Sequence, residues 1–286
     1  MMFRSVFLPL LILATIAIPC PAYANAQPND VPVADIRYLM EADAAIKNGR
    51  YVQAEQMLAL LTNDAHPSLH DDVALLHAEY YSAEDRLADA AAALAEIKDK
   101  GRNACRQDSM RGWVARKQGD TSQSILFLVR AVKACPDDVG AWNLLGLAFA
   151  EKGEIAASRE AFERALALSP QQSGLLNNYA LVLLQAGDAG AASQKLGEAL
   201  AADPLSPAII ANRDFVNAIL GSKPIRVPGE NETQWANRLL SAGTGAQVGQ
   251  NAVLAKSLFS QAVLLLDHFD AKAWSVATQF KPVPVE

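Results

Sequence analysis

The chain has 286 residues, 51% of them hydrophobic, and sets 25 Lys and Arg against 31 Asp and Glu for a net charge of −6. An acidic balance argues against nucleic acid and anionic membranes as partners, because both are bound through positive charge. No nucleophile elbow, phosphate-binding loop or zinc-protease motif is present, so an enzymatic reading has no residues to name and no cofactor is implied.

Residues 1–24 carry Arg4, an apolar stretch from Val6 to Ile18 and the triplet Ala22-Tyr23-Ala24, the layout of a secretory signal peptide. The apolar run is too short to span a membrane comfortably. Cleavage after Ala24 would deliver the protein to the periplasm with a linker at 25–34. Cys20 opens a second route, cleavage just before a cysteine that is then acylated and anchored at the outer membrane, but Pro19 fits that cut poorly. Either route leaves Cys105 and Cys135 as the internal pair in an oxidising compartment.

Beyond the leader a fixed period organises the chain. Gly119, Gly153, Gly187 and Gly221 lie 34 residues apart, and Ala131, Ala165, Ala199 and Pro136, Pro170, Pro204 keep step with them. Such a period marks supersecondary units that stack on their neighbours. A weak unit from about Asp35 keeps Tyr38, Gly49, Ala54 and Leu58, and another from about Asp71 keeps Tyr81, Ala90 and Leu94. Between them His66, His70, Asp71, Asp72 and His77 form a dense cluster of metal-ligand types. Pro67 breaks the helix that would align them, which favours a solvated loop and helix start over a metal site.

Three units then run in unbroken register. The first opens at Cys105 and has Gly112, Gly119, Ala131 and Pro136 on pattern, with Arg111 where a large apolar residue is expected. The best formed, AWNLLGLAFAEKGEIAASREAFERALALSP, places Trp142, Leu145, Gly146 and Phe149 on one helical face and Phe162, Ala165 and Leu166 on another. Gly146 and Ala165 supply small surfaces for a close crossing, Gly153 permits the turn, Glu154 is placed to cap the second helix, and Pro170 stops it. The third unit carries Leu176, Tyr179, Gly187, Ala192, Leu196, Ala199 and Pro204. After a further first helix ending at Gly221, the stretch SKPIRVPGENET excludes the expected second helix. It reads as a joint to a C-terminal cap or as an extended ligand mimic lying in the groove.

These residues resemble the tetratricopeptide repeat (TPR), a helix-turn-helix unit. The resemblance implies an all-α, TPR-type solenoid wound as a right-handed superhelix. Its main array covers 35–221, the Pro/Gly-containing joint 222–234, a C-terminal hairpin with a capping helix 235–281, and a tail 282–286. In such an array Cys105 opens one helix and Cys135 closes its antiparallel partner, so a disulfide is reasonable and would contribute roughly 3–4 kcal/mol; two buried small residues is the other reading. The first helices form a concave groove. Asn178 and Asn212 occupy one place in successive units, with Asn143 offset by one, and amides suit the backbone of an extended peptide. Arg106, Arg116 and Lys117 add positive charge at one end. Trp113 serves there as a groove anchor or as inter-repeat packing.

The segment from Trp142 to Gly221, with NNYALVLLQAGD and ANRDFVNAILG, and the later WANRLLSAGTGAQVGQNAVLAKSLFSQAVLLL resemble the tight-adherence (Flp) pilus assembly proteins that carry such repeats. That resemblance implies a non-enzymatic envelope scaffold binding protein or peptide partners, an accessory factor for a pilus or its secretin. An adaptor for outer-membrane protein or polysaccharide export is the alternative.

Overall fold

The structure, a computed structural model, describes residues 31–64, 66–98 and 103–266. The expected signal peptide, Cys20, and the closing segment with Trp274 lie outside them. Among the described residues there is no strand. The helices are α1 (Val33–Lys47), α2 (Tyr51–Asp64), α3 (His70–Ala83), α4 (Leu87–Glu96), α5 (Ala104–Lys117), α6 (Thr121–Ala134) and α7 (Val139–Lys152). They continue as α8 (Ile155–Leu168), α9 (Ser173–Gln185), α10 (Ala189–Ala202), α11 (Pro207–Ile219), α12 (Glu232–Val248) and α13 (Ala252–Leu265). Each odd helix up to α9 pairs with the next, and each hairpin packs on the one before it.

One contact recurs in these hairpins. A side chain at Gly112 would strike Leu128, one at Gly146 would strike Phe162, and one at Gly243 would strike Phe259. Each glycine meets a large residue sixteen positions on, on the partner helix. Ala42 and Leu58, Ala78 and Leu94, and Ala180 and Leu196 hold the corresponding places and are all buried. A small residue on the first helix therefore lets the backbones approach, and a large one on the second fills the gap.

The connecting turn is also repeated. Gly49, Gly119, Gly153, Gly187 and Gly221 all have φ between 67° and 86°, and Asp85 (58°) and Gln250 (60°) hold the equivalent turn positions without being glycine. The residue after each donates its N–H five residues back, as Arg86 does to Tyr81 O and Asn251 to Ala246 O. This left-handed closure satisfies the helix's last carbonyls. The same turn thus recurs from α1 to α13, further than the glycines alone reveal, although its 34-residue spacing holds only from Asp85 to Gly221. Replacing Gln250 with Gly should raise stability by about 1 kcal/mol, and Asp85→Gly by less, since aspartate tolerates this conformation better. Equilibrium unfolding in urea reads both; a loss of stability in either would contradict the strain.

Caps separate the second helices. Asp120, Asp188 and Asn251 accept from the N–H groups of Gln123, Ala191 and Leu254. Glu154, expected to do the same for α8, makes no side-chain cap and pairs with Lys152 at 2.9 Å instead. Its extra methylene places the carboxylate beyond the helix's free N–H groups.

Cys105 at the start of α5 and Cys135 just after α6 have Cα atoms 5.9 Å apart and form a disulfide, as antiparallel pairing of the two helices requires. Arg111, off pattern in the sequence, sends Nη2 to Leu94 O at 3.1 Å and so caps the short α4. Trp142 is partly buried between two apolar clusters, with its indole N–H on Pro136 O at 2.9 Å.

The missing second helix after α11 is replaced by packing of another kind. Residues 222–231 are non-helical, and α12 lies directly against α11. Where the other first helices carry a buried glycine or alanine, α11 carries Asp214, and sixteen residues on lies Glu230. Arg238 of α12 joins them, with Nε 2.6 Å from Asp214 and Nη1 3.0 Å from Glu230, while its Nη2 holds Ile225 O. The segment is therefore a pinned joint, and the C-terminal hairpin is docked on the array.

Candidate functional site

The first helices lie side by side, and their polar groups bond across at a spacing of 35 residues. Arg116 Nη1 meets Glu151 Oε1 at 2.7 Å, Asn178 Nδ2 meets Asn143 Oδ1 at 3.0 Å, and Asn212 Nδ2 meets Asn177 Oδ1 at 2.8 Å. Gln185 Nε2 reaches Ala150 O at 3.1 Å with the same offset. Asn177 Nδ2 then bonds Asn178 Oδ1 at 3.2 Å, which links Asn212, Asn177, Asn178 and Asn143 into one amide chain across α11, α9 and α7. The one-residue offset of Asn143 in the sequence is this lateral stagger.

This arrangement corrects the expected peptide contacts. Asn178 and Asn212 are 0% and 1% exposed, so neither offers surface to a bound chain while the helices are packed. Buried amides of this kind are costly unless they bond one another, and together they fix the register of neighbouring helices. Asn143, at the end of the chain, is partly exposed.

The expected positive end is also changed. Arg106 Nε donates to Glu79 Oε1 at 2.6 Å, and its Nη2 contacts both Glu79 and Asp43, tying α5 to α3 and α1. Burial opposes ionisation of Asp43, but Lys47 and Arg106 outweigh it and hold the carboxyl below its usual range. Arg116 is 9% exposed and is committed to Glu151. Lys117 stays exposed, with Nζ 5.2 Å from the centre of the half-buried Trp113 ring. Trp113 packs on the cluster formed by α3, α4 and α5, so it does inter-repeat packing while keeping an accessible edge. The open part of the candidate groove is accordingly Trp113, Lys117 and Asn143.

The histidine and aspartate cluster is used for structure. Asp71 accepts from Lys98 N at 3.1 Å, Asp72 from Asn103 Nδ2 at 2.7 Å, and His66 Nδ1 pairs with Ser68. Among the described residues no group of three or more His, Cys, Asp or Glu could hold a metal ion, and no helix is long and apolar enough to cross a membrane. Sequence reasoning did not find Asp214, Glu230 and Arg238. An acid at the place the repeat reserves for a small residue was the available signal.

The repeat geometry agrees with a family comparison: residues 109–173 match the tetratricopeptide repeat. Among solved structures, PilF of Pseudomonas aeruginosa superposes with a TM-score of 0.55 at 18% identity, over 86% of this chain and 95% of that one. The TPR-type all-α solenoid therefore extends well beyond the matched segment. MamA from MSR-1 aligns with a TM-score of 0.46 at 19% identity, over 60% of this chain and 98% of that one. YrrB, described as a TPR protein with an unusual peptide-binding site, aligns with a TM-score of 0.45 at 17% identity, over 60% and 87%. No curated protein matches the chain.

Proposed function

We propose that the chain is a non-enzymatic periplasmic scaffold that holds a protein partner on the side of its first helices and assists assembly of a Flp pilus or its secretin. The observation that carries this reading is the continuous stack of repeats, which leaves Trp113, Lys117 and Asn143 accessible on neighbouring first helices. An extended partner segment suits such a surface, and the exposed Lys117 adds positive charge at its rim. The resemblance of residues 142–221 and 235–266 to Flp assembly proteins supports this choice of system.

Photocrosslinkers at position 117 or 143 in intact cells are expected to capture a secretin or pilus-assembly component, while one at Arg159, on the exposed face of α8, is not. Lys117→Glu should lower the yield roughly fivefold as the rim charge is reversed. Capture of an outer-membrane protein or polysaccharide exporter instead would move the scaffold to that system. Capture from position 159 alone would place the partner on the second helices and refute the groove.

A further inference from the structure

The second helices α2, α4, α6, α8, α10 and α13 follow equivalent turns, so one repeat position can be compared in all of them. Three residues after the turn residue they carry Val52, Ala88, Ser122, Ala156, Gly190 and Val253, and every one of these is exposed. The inner hairpins keep this place small. Only the first and the last put a branched apolar side chain there, with Val52 72% and Val253 83% exposed. Leu60 of α2 is 50% exposed where the following helices carry Glu96, Arg130, Arg164, Glu198 and Gln261. Leu264 of α13 is 85% exposed where α6, α8 and α10 carry Lys133, Ala167 and Ala201. Single exposed apolar side chains are ordinary. Their return at matched places, confined to the two ends of the stack, marks interaction surfaces.

Charge divides the two ends as well. Residues 31–98 hold 12 acidic and 5 basic side chains, whereas 207–266 hold 3 acidic and 5 basic. Within the surfaces, six residues after the turn residue, α2 carries Glu55 and α13 carries Lys256, both exposed. Each lies one helical turn beyond its valine, on the same face. Val248, 59% exposed at the end of α12, widens the apolar surface at the last turn, at a place where α5, α7 and α9 end in Lys117, Glu151 and Gln185.

We propose that the last hairpin of one copy docks on the first hairpin of a second copy, with Val253 and Leu264 against Val52 and Leu60 and the Lys256 ammonium against the Glu55 carboxylate. Charge selects this pairing over the symmetric ones: α2 on α2 would set Glu55 beside Glu55 within an acidic block, and α13 on α13 would set Lys256 beside Lys256. The two surfaces are unlike, so the contact is heterologous, and a joined pair keeps one open end of each kind for further copies. The patch is small, which makes the association weak and concentration-dependent. It lies on second helices and leaves Trp113, Lys117 and Asn143 on the first-helix side uncovered, so it is independent of the partner proposed for the groove.

Sedimentation velocity on the chain without its leader, over a concentration series, tests the contact. The weight-average sedimentation coefficient of the wild type is expected to rise with concentration. Glu55→Lys alone and Lys256→Glu alone should each weaken association roughly fivefold, because like charges then meet at every junction. An equimolar mixture of the two variants should recover the wild-type behaviour, since each junction between unlike variants again joins opposite charges; that recovery also shows that both variants are folded. A sedimentation coefficient that is flat with concentration would overturn the proposal and leave the two surfaces to a different protein. Single variants that associate as the wild type does, or a mixture that associates no better than its components, would overturn it equally.

Discussion

Gly245→Val is expected to lower stability by about 3 kcal/mol and to release the C-terminal hairpin from the array. α12 crosses α11 through two glycines four residues apart, which rest on two backbone carbonyls also four apart. A Cβ at Gly245 would lie 2.1 Å from Phe215 O and 2.9 Å from its carbonyl carbon, and one at Gly249 would lie 2.5 Å from Ile219 O. The obstacle is helix backbone, which has no rotamer to turn aside. α12 must therefore lift, and the cluster joining Ala218 to Leu239, Leu240 and Leu258 opens with it. Gly197 in α10 is the matched control, because a Cβ there meets nothing within 4 Å. Gly197→Ala should stabilise by roughly 0.5–1 kcal/mol through helix propensity alone. Urea unfolding followed by circular dichroism measures both, and an unchanged midpoint for Gly245→Val would refute the close crossing.

How far the sequence could be read follows from which interactions are local. A turn that needs φ > 0 selects glycine, so the 34-residue ladder was visible directly; Asp85 hid one of its steps by adopting the same conformation at some strain, and Gln250 hid a further turn of the same kind that lies off the ladder, 29 residues after Gly221. The disulfide was readable because hairpin pairing alone brings Cys105 and Cys135 together. Lateral contacts were not. Period and face place Asn178 and Asn212 on the groove side, but whether such a side chain points into open space or onto the next helix depends on the stagger between helices, which no single repeat encodes. Arg111 and Arg106 show the same limit. One looked like a pattern fault and caps α4; the other looked like free positive charge and is spent on Glu79 and Asp43. At α11 the sequence revealed that a helix was missing, but not that an ion cluster from α12 takes over its packing.

That cluster carries the second large effect. Asp214 and Glu230 have side chains only 2% and 8% exposed, and Arg238 compensates both. Arg238→Met preserves the volume but leaves two buried carboxylates facing each other, a change expected to cost about 3–5 kcal/mol at pH 7. Loss of the bond to Ile225 O also frees the joint, so tryptic cleavage after the exposed Arg226 should accelerate. Burial already pushes the Asp214 carboxyl above its ordinary 3.8, despite Arg238, and removing the arginine pushes it further. A carboxyl raised in the folded state binds its proton more tightly there than in the unfolded chain, so stability falls as pH rises through that window. The deficit of Arg238→Met relative to wild type should therefore be full at pH 7 and shrink as pH falls toward 3.8. Adding Asp214→Ala, which restores the small residue that Ala180 supplies one unit earlier, should recover more than half of the loss, because an apolar contact then replaces the orphaned charge. A deficit that stays below 1 kcal/mol, or one that is flat with pH, would mean that the joint is held by apolar packing and the ion cluster is incidental.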